Sequence, residues 1–167
     1  KEIKNTFATA PVESDLGKNG INLTFIQSDK GIEPPDKKYS NINFEEYQDY
    51  QGHATFYMYY TDDITVKDNL GGLAPLNNDR FIVKSITYSE FIITHELGHK
   101  LGLLPAKFKG IDSFEISYDN YESVMNYNYI YNLSKNDYSN SESKFNDWQY
   151  IEDNIRKHNA STRNIFK

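Results

Sequence analysis

The sequence predicts an α+β domain, and three observations carry that expectation. Three β-rich segments occupy the middle of the chain, at residues 54–60, 71–75 and 80–86. A strongly helical segment containing His95-Glu96-Leu97-Gly98-His99 follows them directly. A second amphipathic segment, residues 145–157, comes after a long stretch with little periodicity. The length of 167 residues suits one domain.

The elements follow in chain order. Residues 1–12 read as the end of a helix, with Ile3, Phe7 and Val12 at roughly helical spacing and Pro11 stopping it. The run from Ser14 to Gly20 is turn chemistry. Residues 21–27 (INLTFIQ) alternate apolar and polar and predict a half-buried strand. Residues 31–43 hold Pro34 and Pro35 and read as a loop, and residues 44–50 as a short helix. The segment 54–60 (ATFYMYY) is β-rich and bounded by Thr61-Asp62-Asp63. Residues 71–75 (GGLAP) suit an edge strand, because proline cannot donate to a central ladder. Residues 80–86 (RFIVKSI) form another strand.

From Tyr88 to Leu101 the apolar residues fall on two adjoining helical faces, and Gly102 stands where a C-terminal cap belongs. Residues 103–134 are expected to be irregular, and 136–144 a Ser/Asn-rich loop. Within 145–157, Phe145, Trp148, Ile151 and Ile155 share one stripe with Asp and Glu opposite, which predicts a helix docked through an aromatic face. Residues 158–167 read as a frayed tail.

Composition narrows the function. A net charge of −6 argues against nucleic acid, since phosphate binding needs a basic face. The absence of cysteine excludes disulfides, thiolate metal sites and thiol nucleophiles. No apolar run approaches the ~20 residues needed to cross a bilayer. The chain starts at Lys1 rather than Met, so a processed or trimmed product is expected. Sequons at Asn22, Asn132 and Asn159 fit an extracellular or cell-surface monomer. His53 and His158 stand alone and read as surface residues, and Asp62-Asp63 and Asp68-Asn69 as solvated turns.

The chemistry lies in His95-Glu96-x-x-His99. On a helix, positions i and i+4 point the same way, so the two imidazoles can grip one metal ion. Glu96 lies about 100° round the helix, beside the metal rather than on it, where it can take a proton from water. Neutral imidazoles suit zinc, which lowers the pKa of water towards neutrality.

His95-Glu96-x-x-His99-x-x-Gly102, followed by Ser123-Val124-Met125-Asn126-Tyr127, resembles the metzincin clan of zinc endopeptidases with its later Met-turn. The resemblance covers residues 21–157 and implies a single catalytic domain. Residues 1–102 would form an N-terminal subdomain that lacks the family's first strand, and 103–167 a C-terminal one. It implies a twisted, mainly parallel sheet in which 54–60 is a central strand and 71–75 an antiparallel edge, with Gly72, Leu73 and Ala74 binding the peptide or protein substrate. His95 and His99 would be zinc ligands, Glu96 the general base and acid, and Met125 a hydrophobic base beneath them. Tyr127 would approach the metal or steady the oxyanion, and residues 128–131 would wall a substrate pocket.

One position departs from the pattern. Where the family has its third ligand, this chain has Pro105, which cannot bind a metal. Asp112, Glu115, Asp119 and Glu122 are the acidic donors before the Met-turn. Asp112 is nearest to the family's position, and Gly110 could supply a second tight turn, making residues 103–109 an insertion that postpones the ligand. The alternatives are a glutamate ligand, Glu115 or Glu122, or a binding domain that keeps the fold without useful turnover.

Overall fold

A computed structural model describes residues 2–13, 18–25, 56–61, 71–75, 80–130 and 135–163. The described residues form an α+β arrangement of four α-helices and a three-stranded sheet. Helix α1 spans Glu2–Ala8 and ends before Pro11, whose ring cannot continue it. Strands β1 (Tyr57–Thr61), β2 (Gly72–Leu73) and β3 (Arg80–Lys84) lie in the order β1-β3-β2. β3 pairs in parallel with β1 and antiparallel with β2, so in the described sheet β2 stands at one edge as expected, while β1, expected to be central, stands at the other and β3 takes the central place. Phe81, Ile82 and Val83 are all buried, as expected of a strand covered on both faces.

Helix α2 spans Ser89–Lys100 and packs against β3. Its start lacks a side-chain cap at Tyr88; instead the Ser89 hydroxyl accepts the Ile86 N–H at 2.8 Å. Its end is a Schellman turn. Leu103 N–H donates to Gly98 O at 2.9 Å and Gly102 N–H to His99 O at 3.1 Å, with Gly102 at φ 98°. From the last helix, the Asn154 amide donates to Leu101 O at 3.2 Å and closes the same end.

Beyond α2 the chain turns repeatedly, with a 3-10 turn at Tyr118–Asn120 and a short helix α3 at Tyr127–Ile130. Helix α4 then spans Asp147–Arg163. The two halves meet in a cluster of rings. Phe7 of α1, Tyr138 and Trp148 of α4 stand edge to face, with centroids 4.8–5.8 Å apart. No helix among the described residues is long and apolar enough to cross a membrane.

Several expectations are corrected. Residues 21–24 alternate half-buried and exposed, but Phe25 is exposed and the segment joins no ladder among the described residues; Ile21 N–H instead bonds Phe7 O, tying the segment to α1. The edge strand is shorter than 71–75, since Ala74 and Pro75 leave the ladder. The last helix starts at Asp147, not Phe145, and its backbone stays helical to Arg163, where no glycine or proline interrupts it. Asp147, expected on the polar face, is fully buried, because its carboxylate is satisfied by internal donors. The expected loop at 31–43, the short helix at 44–50, His53, the acidic pairs at 62–63 and 68–69, and the sequon at Asn132 lie outside the described residues.

Gly98 generates a test. A glycine inside a helix ordinarily costs about 0.5–1 kcal/mol relative to alanine. A Cβ here would lie 2.5 Å from Met125 Sδ and 2.9 Å from Tyr138 Cε1. Overpacking of that kind costs about 1–3 kcal/mol. Gly98→Ala is expected to destabilise the protein by about 1–2 kcal/mol in urea unfolding, reversing the sign that helix propensity alone predicts.

Candidate metal centre

His95 and His99 project from the last two turns of α2. Each imidazole is oriented by a main-chain carbonyl. His95 Nδ1 lies 2.9 Å from Val124 O, and His99 Nδ1 lies 2.7 Å from Leu103 O. A carbonyl oxygen can only accept, so in each neutral ring Nδ1 carries the proton and Nε2 presents a bare lone pair. Leu103 O is available because the Schellman turn folds the chain back under the helix end.

Asp112 meets the two rings from the other side. Its Oδ1 lies 3.0 Å from His95 Nε2 and 3.3 Å from His99 Nε2, and the two Nε2 atoms are 3.2 Å apart. Asp112 Oδ1 is also buried without a hydrogen-bond donor. Three electron-pair donors thus converge with no proton between them, which is unfavourable unless a cation joins them. His95, His99 and Asp112 form a group that could hold a metal ion. Their separations approach the edge of a tetrahedron with bonds of about 2.0–2.1 Å, which is about 3.3 Å.

The electrostatics favour positive charge at this point. In the absence of a metal that charge is a proton: burial pushes the Asp112 carboxyl up, but the neighbouring imidazoles, where they carry a proton towards it, outweigh burial and hold the group well below the usual carboxylate range. Burial lowers the His95 pKa, and Asp112 together with Glu96 more than reverses this.

Asp112 reaches the histidines through an unusual backbone. It is the one non-glycine residue with positive φ among the described residues, at 53°. Asp tolerates this left-handed conformation better than most residues. Its N–H donates to Met125 O at 3.0 Å, and Tyr127 N–H donates to Ser113 O at 3.3 Å, so the two segments run side by side. The tight turn expected at Gly110 is present, closed by Ile111 N–H to Phe108 O at 3.1 Å, and the left-handed residue that follows it is Asp112. Gly110 serves packing, since a Cβ there would lie 2.6 Å from Phe108 Cε1 and 2.9 Å from Tyr121 Cδ1. Glu115, Asp119 and Glu122 are exposed and outside the group.

The remaining expected residues surround this centre. Glu96 is buried beside the two histidines; burial raises its carboxyl pKa, with His95 and His99 opposing. Strand β2 passes over it, because a Cβ on Gly72 would sit 2.5 Å from Glu96 Oε1. Gly72, Leu73 and Ala74 are half-buried along that edge. Met125 is fully buried with its sulfur under Gly98. The Tyr127 ring stacks on His95 at 5.9 Å and 23°. The turn itself is closed by Asn126 N–H to Ser123 O at 2.9 Å, and the Asn126 amide donates to Ile116 O and Tyr121 O. Sequence reasoning missed Asn126, Tyr138, whose hydroxyl donates to Thr94 O in α2, and Asp147, which binds Ser123. Only Asp147 left a trace, as the first acidic residue of a helix beside its buried Trp148.

Comparison with family models, with curated proteins and with solved structures finds no match to this chain.

The group generates its own test. Asp112→Ala is expected to weaken zinc binding by more than the roughly 10–100-fold seen when a merely orienting partner is removed. Glu115→Ala, Asp119→Ala and Glu122→Ala should each bind as the parent does. Competition against a chromophoric chelator measures all four, and a parent-like Asp112→Ala would remove Asp112 from the group.

Proposed function

We propose that the chain is a zinc-dependent endopeptidase of metzincin type. The observation that carries this reading is the convergence of His95 Nε2, His99 Nε2 and Asp112 Oδ1, with Glu96 next to them and not among them. Two imidazoles and one carboxylate are a donor set that suits zinc, and three protein ligands leave a position for water and substrate. The metzincin assignment draws on the spacing from His95 to Gly102, on the Met-turn beneath α2, and on the antiparallel edge β2 next to a parallel pair.

Zinc, when bound, supplies a Lewis acid that polarises a carbonyl and acidifies water. The protein's own residues do the rest. Substrate lies along β2 as an added extended strand and takes its main-chain hydrogen bonds from residues 72–74. Glu96, close under Gly72, accepts the proton of the attacking water and passes it to the leaving amine. Burial of Glu96 keeps bulk water from competing for that proton. Tyr127, whose ring stacks on His95, would steady the tetrahedral oxygen through its hydroxyl. The reading of a binding domain without turnover is disfavoured by the intact Glu96, and a glutamate third ligand by the exposure of Glu115 and Glu122.

Two experiments test the reading. Glu96→Gln should retain about one zinc per chain while peptide hydrolysis falls by about 10²–10⁴-fold, the usual contribution of a general base. Loss of zinc in this variant would reassign Glu96 as a ligand, and chelator-resistant hydrolysis by the parent would exclude the mechanism. Met125→Leu conserves volume and should cost under about 1.5 kcal/mol with zinc retained. Tyr127→Phe should lower kcat more than it changes KM; equal and small effects of both changes would reduce Tyr127 to packing.

A further inference from the structure

We propose that Asp147 is a positioning residue for the ligand His95, acting through the Ser123 hydroxyl and the Val124–Met125 peptide. The inference rests on reading His95, His99 and Asp112 as a metal site. Asp147 opens α4, far along the chain from the histidines, and is fully buried. Its Oδ1 accepts the Tyr121 hydroxyl at 2.7 Å. Its Oδ2 accepts the Ser123 hydroxyl in a short bond and the Ser139 N–H at 3.1 Å.

The direction of these bonds gives the carboxylate its reach. Ser123 has one hydroxyl proton, and Asp147 takes it. The Ser123 oxygen then faces the Met125 N–H as an acceptor, at 3.0 Å. That N–H and the Val124 carbonyl belong to one peptide group. The bond is trans, since the described residues hold no cis peptide, so N–H and C=O point in opposite directions. The carbonyl end meets His95 Nδ1 at 2.9 Å. An unbroken series of donors and acceptors therefore runs from a buried carboxylate to the ring whose Nε2 faces the metal position.

Such a series polarises each member in the same sense. Electron density drawn towards Val124 O strengthens its hold on the His95 proton, fixes the tautomer and makes Nε2 a better donor. The preceding peptide, Ser123–Val124, is held as well, because Val124 N–H donates to Asp137 O at 2.9 Å. The arrangement does the work of a carboxylate bonded directly to a metal-ligating histidine, with a hydroxyl and a peptide interposed.

The test compares two breaks in the series with one change beside it. Asp147→Asn keeps the shape but offers one acceptor oxygen to three donors, and Ser123→Ala removes the hydroxyl. Tyr121→Phe takes a donor from Asp147 and a neighbour from the Ser123 hydroxyl, but leaves in place every bond that leads from Asp147 through Ser123 and the peptide to His95. Zinc affinity is measured by chelator competition, the visible spectrum of the cobalt-loaded protein reports ligand geometry, and thermal unfolding of the metal-free form reports stability.

Asp147→Asn and Ser123→Ala are each expected to lose about 10–100-fold in zinc affinity and to shift the cobalt bands. Tyr121→Phe should lower the unfolding midpoint yet keep the parent's affinity and spectrum. If Asp147→Asn fails to fold, Ser123→Ala decides alone. A folded Ser123→Ala with parent affinity and spectrum overturns the proposal, as does an equal loss in Tyr121→Phe, which would trace the effect to stability. A parent that binds no zinc removes the metal site and the proposal together; a parent that binds it while the variants match it removes the proposal only.

Discussion

Everything at the centre depends on where two protons sit. If His95 and His99 gave their lone pairs from Nδ1, the ring atoms facing Asp112 would be donors, and the three residues would form an ordinary hydrogen-bonded cluster. The carbonyls of Val124 and Leu103 prevent this by accepting from Nδ1. Neither carbonyl belongs to the helical hydrogen bonding of α2. Leu103 follows its C-terminal turn, and Val124 comes from the loop beneath it. Much of the C-terminal half can be understood as the framework that keeps those two oxygens in place.

That framework is built mostly from side chains. Between α2 and α4 the described residues form only short helical turns, so the buried main-chain groups need other partners. Asn126 and Asn128 supply them for Ile116, Tyr121 and Phe114, and Asp147 gathers Tyr121, Ser123 and Ser139. Rings fill the space between, with Phe108 stacked on Phe145 at 5.0 Å and Trp148 against Phe7 and Tyr138. Polar residues at fixed positions thus take over the role that a sheet ladder plays in the N-terminal half.

The parts legible in the sequence are those with a local period or cap. Helix α2, its paired histidines and the glycine that ends it all follow from spacing within one short segment. The strand at 80–84 is legible for the same reason, as a short apolar run. Asp112 stands in the sequence as one of four acidic residues in an irregular stretch; its meeting with the histidines depends on a backbone turn that no local pattern announces. Asp147 is harder still. An acidic residue opening an amphipathic helix reads as solvent-facing, and its burial makes sense only once Tyr121, Ser123 and Ser139 are seen to converge on it. The segment at 21–25 fails in the opposite way: its alternation runs only from Ile21 to Thr24, Phe25 is exposed, and among the described residues α1 rather than a strand receives it.

The left-handed backbone at residue 112 also acts as a chemical sieve. Outside glycine, the residue types most at home at positive φ are Asn, Asp and His. Of these, Asp and His are good ligands for a borderline divalent cation, and Asn is a weak one. Glutamate carries the same carboxylate but lacks that conformational tolerance, and its extra methylene would push the oxygen past the point where the two Nε2 atoms meet. The position therefore admits only two strong metal ligands without rebuilding the chain around it. A backbone torsion, rather than any contact with the metal, sets which chemistries substitution can explore there.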